Sequence, residues 1–299
     1  MQPGFRTLSW CCCAALLSLC GCRTPDIAPK SNENTTTGVV TPASPARTVA
    51  STTTALAATR SPSAGPASTP PNAATAPVPF TAFEYVELAT GGLAANARAP
   101  LIVAFHGLGD RPENFAGLFR NFPVPARVVL PHSATPHDSG FSWFDFRMGD
   151  PDFSAPFIAE TADRLATFIA ELGRRPTTLG KPIVTGFSQG GALSFALYAR
   201  HPELIAAAYP LSGWLPPSLV PGARPAGDLP PLIAFHGTAD PVVPIAHART
   251  AVGALVALGF PATLREFEGV EHAVPEPVQA ALYDALESSA RNAAPTRAH

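Results

Sequence analysis

The sequence predicts an α/β fold, a mostly parallel central sheet with helices on both faces, and three observations lead there. Short apolar, β-branched runs alternate with stretches whose apolar positions recur at helical spacing. Two of the runs, Leu101 to Phe105 and Leu232 to Phe235, are apolar throughout, as strands buried on both faces must be, and each ends in a His-Gly pair. A third, Ile183 to Thr185, stops at Gly186, and a helical pattern begins just after Gln189. Between them lies Gly186-Phe187-Ser188-Gln189-Gly190, a G-x-S-x-G turn in strand–turn–helix context, which lifts a serine hydroxyl clear of the sheet edge and aims a helix N-terminus at whatever it attacks.

Taken in order, the ordered chain begins near Phe80, and Phe83 to Leu88 alternates apolar and polar as a strand with one wet face. After Leu101 to Phe105 comes a helix around Glu113 to Arg120, a third strand at Arg127 to Leu130, and a loop from Pro131 to about Ala155. Phe157 to Leu172 is a helix stopped by Gly173. The strand Ile183 to Thr185 feeds the helix Gly191 to Arg200. Leu204 to Leu211 contains the next strand, and a Pro-rich loop, Trp214 to Pro231, leads to Leu232 to Phe235. A helix from Ile245 to Leu258 is closed by Gly259, Thr263 to Phe267 is the last strand, and Pro275 to Ser289 the last helix. The two His-Gly pairs mark equivalent sheet positions, with loops at the C-terminal edge where open α/β sheets bind ligands.

The N-terminal quarter is different material. Arg6 and the apolar stretch Leu8 to Leu19 read as an export signal too short for a membrane span. Its end, Leu19-Cys20-Gly21-Cys22, resembles the lipobox of bacterial lipoproteins, with Cys22 as the lipid attachment site, since Leu19 would put a bulky residue at the cleavage point before Cys20. Arg23 then stands where an aspartate retention signal would, which favours the outer membrane, with the catalytic domain periplasmic or surface-exposed. All 5 cysteines lie within this segment, leaving none for disulfides, a thiol nucleophile or a cysteine metal site. Residues 22–79 are rich in Thr, Ser, Pro and Ala and hold no aromatic residue, so they cannot bury enough apolar area to offset chain entropy; they read as a disordered tether. The expected organisation is a signal at 1–21, the tether at 22–79, a catalytic domain at 80–290 and a polar tail at 291–299. A net charge of -2 gives no electrostatic case for nucleic acid.

A serine hydroxyl needs a base to take its proton and a third group to fix the base. On a strand–turn–helix serine the chain order is Ser, then Asp or Glu, then His. His201 sits at a helix end, His236 ends a strand ahead of any plausible acid, His247 lies in a helix and His299 in the tail; Glu203 and Asp228 read as solvated. His272, in the loop after the last strand, is the candidate base, and Asp240, in the turn after Leu232 to Phe235, the candidate acid. The oxyanion donors expected are the backbone amides of Gln189 and of Leu108, in the His106-Gly-Leu-Gly-Asp110 loop. His106 itself reads as a structural hydrogen-bonding residue. No acidic cluster or helical His pair accompanies His132 and His137, and no metal is expected.

Six segments (FHGLGD, SWFD at Ser142 to Asp145, GFSQGGALS, LSGWLP, HGTADPVVP and FEGVEHAVP), in this order over residues 100–280, are similar to those of the phospholipase/carboxylesterase family of α/β-hydrolases, which includes the acyl-protein thioesterases. The resemblance implies cofactor-free hydrolysis of small carboxylic esters or thioesters through an acyl-enzyme. It also places Trp143 and Phe144 near an acyl pocket. A peptidase or acyltransferase on the same triad, or a binding lipoprotein on a hydrolase scaffold, are the alternatives; the last predicts a broken triad, and no member is missing.

Overall fold

A computed structural model describes residues 83–147 and 149–293. The signal at 1–21, Cys22, the tether at 22–79, and residues 294–299 of the tail lie outside the described residues. The elements run β1 (Tyr85–Ala89), β2 (Ala99–Phe105), α1 (Pro112–Phe115), β3 (Arg127–Pro131), β4 (Thr135–His137), β5 (Gly140–Ser142), α2 (Ala155–Gly173), β6 (Thr178–Phe187), α3 (Gln189–Arg200), β7 (Ala207–Leu211), β8 (Leu232–Gly237), α4 (Ile245–Ala257), β9 (Ala262–Phe267) and α5 (Glu276–Ala293).

Seven strands form one sheet in the order β1-β3-β2-β6-β7-β8-β9. Only the β1–β3 pair is antiparallel. β1 and β9, at the two edges, keep most of their residues partly or fully exposed, in accord with the mixed sequence of each. β2 and β7 are buried along their whole length. Alternate residues of the strands feed two cores. Leu101, Val103 and Phe105 point to the side covered by α2, α3 and α4, while Ile102 and Ala104 meet Phe115, Phe119 and the α5 residues Val278, Leu282 and Leu286. Helices on both faces explain why the central strands are apolar without alternation.

The expected elements differ from the observed ones where local signals conflict. β6 runs from Thr178, well ahead of Ile183, although Gly180 and Pro182 argue against a strand; Gly180 takes a left-handed φ of 68° and the pairing with β2 shifts register between Pro100 and Ile102, so an irregularity absorbs both residues. The helix expected at 113–120 tightens after one turn into a 3-10 segment, Ala116–Phe119. The stretch expected as loop between Pro131 and Ala155 contains the β4–β5 hairpin, whose three-residue strands are too short to show alternation. Its turn residue Asp138 takes a φ of 48°, a conformation that aspartate tolerates better than most residues. α5 continues to Ala293, past the expected start of the tail.

Candidate active site

Everything at the site converges on the C-terminal edge of β2, β6, β8 and β9. At the end of β6 the chain turns sharply, with Ser188 at φ 56° and ψ -113°. A non-glycine residue there is strained, and the surroundings must hold it. The Ser188 amide donates to Leu211 O at 3.0 Å, tying the turn to β7, and Ser188 O accepts from the Ala192 amide at 3.0 Å. Strand and helix approach so closely that a Cβ on Gly190 would lie 2.1 Å from Phe105 O, and one on Gly186 2.4 Å from Gly190 O. Both clashes are with backbone, which cannot swing aside. Gly190→Ala is therefore expected to destabilise the fold by about 3 kcal/mol or more, read as a lower midpoint in urea at unchanged slope; a loss under about 1 kcal/mol would show that the turn can open.

The structure brings Ser188, His272 and Asp240 together from the ends of β6, β9 and β8. His272 Nε2 lies 3.0 Å from Ser188 Oγ, and His272 Nδ1 2.7 Å from Asp240 Oδ2. With Nδ1–H donating to the carboxylate, Nε2 presents its lone pair to the serine hydroxyl. The Phe187 ring lies against the imidazole, centroids 4.7 Å apart at 39°. The Asp240 side chain is fully buried and that of His272 15% exposed, so the acid end of the chain of hydrogen bonds is sealed while the base borders solvent.

Asp240 is held from all sides. Its Oδ1 accepts the amides of Val242 (2.9 Å) and Val243 (2.8 Å), so the Asp-Pro turn aims Oδ2 at His272. A second histidine also reaches it: His236 Nε2, which donates to Val243 O at 2.8 Å, stands 3.4 Å from Asp240 Oδ2. Burial is the largest influence on the carboxyl and alone would raise its pKa. The nearby His236 Nε2, the hydrogen bond and charge of His272 and the Val243 amide outweigh it and hold Asp240 well below the usual carboxylate range. A depressed folded-state pKa contributes stability that is present above the unfolded value of about 4 and is lost as pH falls below it. Wild type should therefore lose more unfolding free energy than Asp240→Asn between pH 5 and pH 3; parallel losses would show that Asp240 is not held ionised by the fold.

The expected oxyanion donors flank the same serine. A Cβ on Gly107 would lie 3.6 Å from Ser188 Cβ, which sets the Leu108 loop directly over the nucleophile. Gly109, at φ 73°, turns that loop back. Among the described residues, the Leu108 and Gln189 amides donate to no backbone carbonyl. His106 lies in this loop with Nδ1 2.8 Å from Gly107 O; burial pushes its pKa down, keeping the ring neutral.

Trp143 and Phe144, expected beside an acyl pocket, are core residues, 6% and 5% exposed. The Trp143 indole donates to His106 O at 2.9 Å, and the Phe144 ring meets Trp214 edge-on, centroids 5.9 Å apart. Three other histidines are engaged elsewhere: His201 Nε2 bonds Asp163 at 2.7 Å and His132 Nε2 bonds Glu113 at 3.1 Å, while His137 lies beside Asp138.

Two roles escaped the sequence. His236 precedes Asp240 in the chain and so does not fit the base's place in the Ser–Asp–His order, yet the tight turn brings its ring back to the carboxylate four residues on; that spacing is the available signal. The side chain of Gln189 is buried, and its amide group bonds the segment carrying Trp143, a pairing across 46 residues that no local pattern announces.

A parallel sheet with a serine on a strained strand–helix turn, and a histidine and buried carboxylate delivered in that chain order from later strands, defines the α/β-hydrolase class. Within it the chain belongs to the phospholipase/carboxylesterase family, whose sequence model matches residues 93–289, and it is an esterase-type hydrolase. It is 25% identical over 206 residues to acyl-protein thioesterase 1 of Gibberella zeae, covering 61% of this chain and 88% of that one. Among solved structures, esterase PE8 superposes with a TM-score of 0.59 at 23% identity over 69% of this chain and 98% of its own. Acyl-protein thioesterase 2 of Zea mays gives 0.56 at 22% identity over 70% and 99%. At these identities the structural likeness speaks for the fold.

Proposed function

We propose that this protein hydrolyses carboxylic esters or thioesters through an acyl-enzyme formed on Ser188. The observation that carries the reading is the unbroken hydrogen-bond chain Asp240–His272–Ser188 beneath two amides that donate to no backbone carbonyl. His272 takes the Ser188 proton as Oγ attacks the carbonyl carbon, and the Leu108 and Gln189 amides receive the charge that develops on the carbonyl oxygen. His272 then returns the proton to the leaving alcohol or thiol, and water repeats the sequence to release the acid. Asp240 stays ionised and stabilises the imidazolium in both halves.

The test is direct. The full chain should release p-nitrophenol from short-chain p-nitrophenyl esters and take up one fluorophosphonate per molecule, with the adduct mapped to Ser188. Absence of both would overturn the reading and favour a binding protein on a hydrolase scaffold. Burst kinetics with equimolar release of the first product would report the acyl-enzyme. A side-by-side series of oxygen esters and thioesters of increasing chain length would define the acyl and leaving groups.

We further propose that the domain at 80–290 is carried on a lipid attached to Cys22 and held off an outer membrane by the tether at 22–79. The support is the Leu19-Cys20-Gly21-Cys22 pattern after a short apolar run and the Thr/Ser/Pro/Ala composition that follows. Incorporation of labelled palmitate into wild type but not Cys22→Ser, and recovery of the protein with outer-membrane rather than inner-membrane vesicles, are the expected results. Equal labelling of both proteins would overturn the anchor.

A further inference from the structure

We propose that residues 141–144, gripped by the side chain of Gln189, form a brace that holds the two oxyanion donors in register with each other. The inference rests on the assignment of the Leu108 and Gln189 amides as those donors. They come from separate strands, β2 and β6, and each sits on a turn. The β2–β6 pairing fixes the strands as far as Phe105 and Gly186, but both N–H groups lie beyond it on turns, and a misplacement of about 1 Å at such a site costs about 100-fold in rate.

The brace grips both sides. On one side Gln189 Oε1 accepts the Trp143 amide at 2.9 Å, and Gln189 Nε2 donates to Phe144 O at 3.0 Å. A backbone N–H and a C=O admit only this orientation of the side-chain amide. Ser142 Oγ donates to Phe144 O at 3.0 Å and accepts from Gln189 Nε2 at 3.3 Å. The residue whose backbone is to bind the oxyanion thus uses its side chain to hold segment 142–144. On the other side, the same segment fixes the Leu108 loop at both ends. The Trp143 indole donates to His106 O at 2.9 Å, just before Leu108; the Gly109 amide, just after it, donates to Phe141 O at 2.9 Å, and the Phe141 amide returns to Asp110 O at 3.1 Å. Gly140 is seated so closely that an added Cβ would lie 2.3 Å from Gly109 O. Leu108 is bracketed by bonds to a segment that is itself bonded to Gln189. The Gln189, Ser142, Trp143 and His106 part of the network is buried, where such bonds are stiffest and an unmade one costs most, while Gly109, Asp110 and Phe141 are partly exposed. Gln189, through its side chain, and Trp143 are positioning residues. Trp143 acts through an indole N–H aimed at backbone.

The test uses Gln189→Met, which keeps volume but removes both side-chain bonds, Trp143→Phe, which removes only the indole donor, and the double variant, all in the full chain. Each is assayed with p-nitrophenyl butyrate per titrated active site, and with a trifluoromethyl ketone, whose hemiketal oxyanion needs the same two donors. Each single variant should lower kcat about 10- to 100-fold with KM within about threefold, and weaken inhibitor affinity in proportion to kcat/KM. Because the two side chains act in series through one segment, the double variant should fall little below the worse single one. Unchanged kcat per active site, even with a lower melting temperature, would show a purely structural role; effects that multiply in the double variant would show two independent contacts. Should Gln189→Met fail to fold, Trp143→Phe alone decides, by its split between kcat and KM. Ser188→Ala separates the levels: if it is inactive while the brace variants are normal, only the brace is wrong, and if it retains hydrolysis, the underlying assignment of the site is wrong.

Discussion

Ser188→Ala is expected to lower kcat for ester hydrolysis by about 10⁴- to 10⁶-fold and to abolish fluorophosphonate labelling, with the fold intact. Among the described residues, the hydroxyl is the one group hydrogen-bonded to His272 Nε2 that can form an acyl bond, and without it the site retains only its binding energy and its oxyanion donors. The substitution is structurally mild. What holds the turn is backbone: the Ser188 amide on Leu211 O and the Ser188 carbonyl on the Ala192 amide, both of which alanine keeps. The left-handed-side φ of 56° is as strained for alanine as for serine, so stability should change by less than about 1 kcal/mol. An alanine variant that still hydrolyses a p-nitrophenyl ester at more than a hundredth of the wild-type rate would remove Ser188 as nucleophile.

Asp240→Asn should lower kcat by about 10³- to 10⁴-fold with little change in KM. The reason lies in the two sides of this carboxylate. Val242 and Val243 donate to Oδ1, so an asparagine must put its oxygen there, which forces its NH₂ toward His272 Nδ1. An imidazole facing that donor must offer a lone pair at Nδ1 and carry its proton on Nε2, where it can no longer accept from Ser188. The substitution thus leaves shape unaltered and inverts the tautomer. It also sets the NH₂ against His236 Nε2, 3.4 Å from the original Oδ2. Turnover within tenfold of wild type would show that His272 is oriented by something other than this carboxylate. The pH 5 to pH 3 stability comparison on the same variant separates the electrostatic role from the catalytic one.

Much of the fold was legible because its signals are local. An apolar run such as Leu101 to Phe105 can only be stable when covered on both faces, and the G-x-S-x-G turn carries its own steric requirements in Gly186 and Gly190. The order of Ser188, Asp240 and His272 followed from where strands end, since each residue lies within a few positions of a strand's C-terminal edge. The β4–β5 hairpin was not legible, because three-residue strands carry no periodicity. Nor was the course of β6 through Gly180 and Pro182, where pairing with β2 overrode local preference.

By itself the sequence determined the α/β class, the chain order and position of the three residues at the strand ends, and the Thr/Ser/Pro/Ala-rich composition of residues 22–79. Those depend on hydrophobic period, glycine sterics and composition, which are properties of short stretches. The tertiary structure alone decided how the site is held: His236 turned back onto Asp240, Trp143 and Phe144 placed in the core, and the Gln189 side chain clasped to a segment 46 residues away. Side-chain hydrogen bonds between distant segments depend on where folded strands bring their ends, and that juxtaposition leaves no repeating trace along the chain.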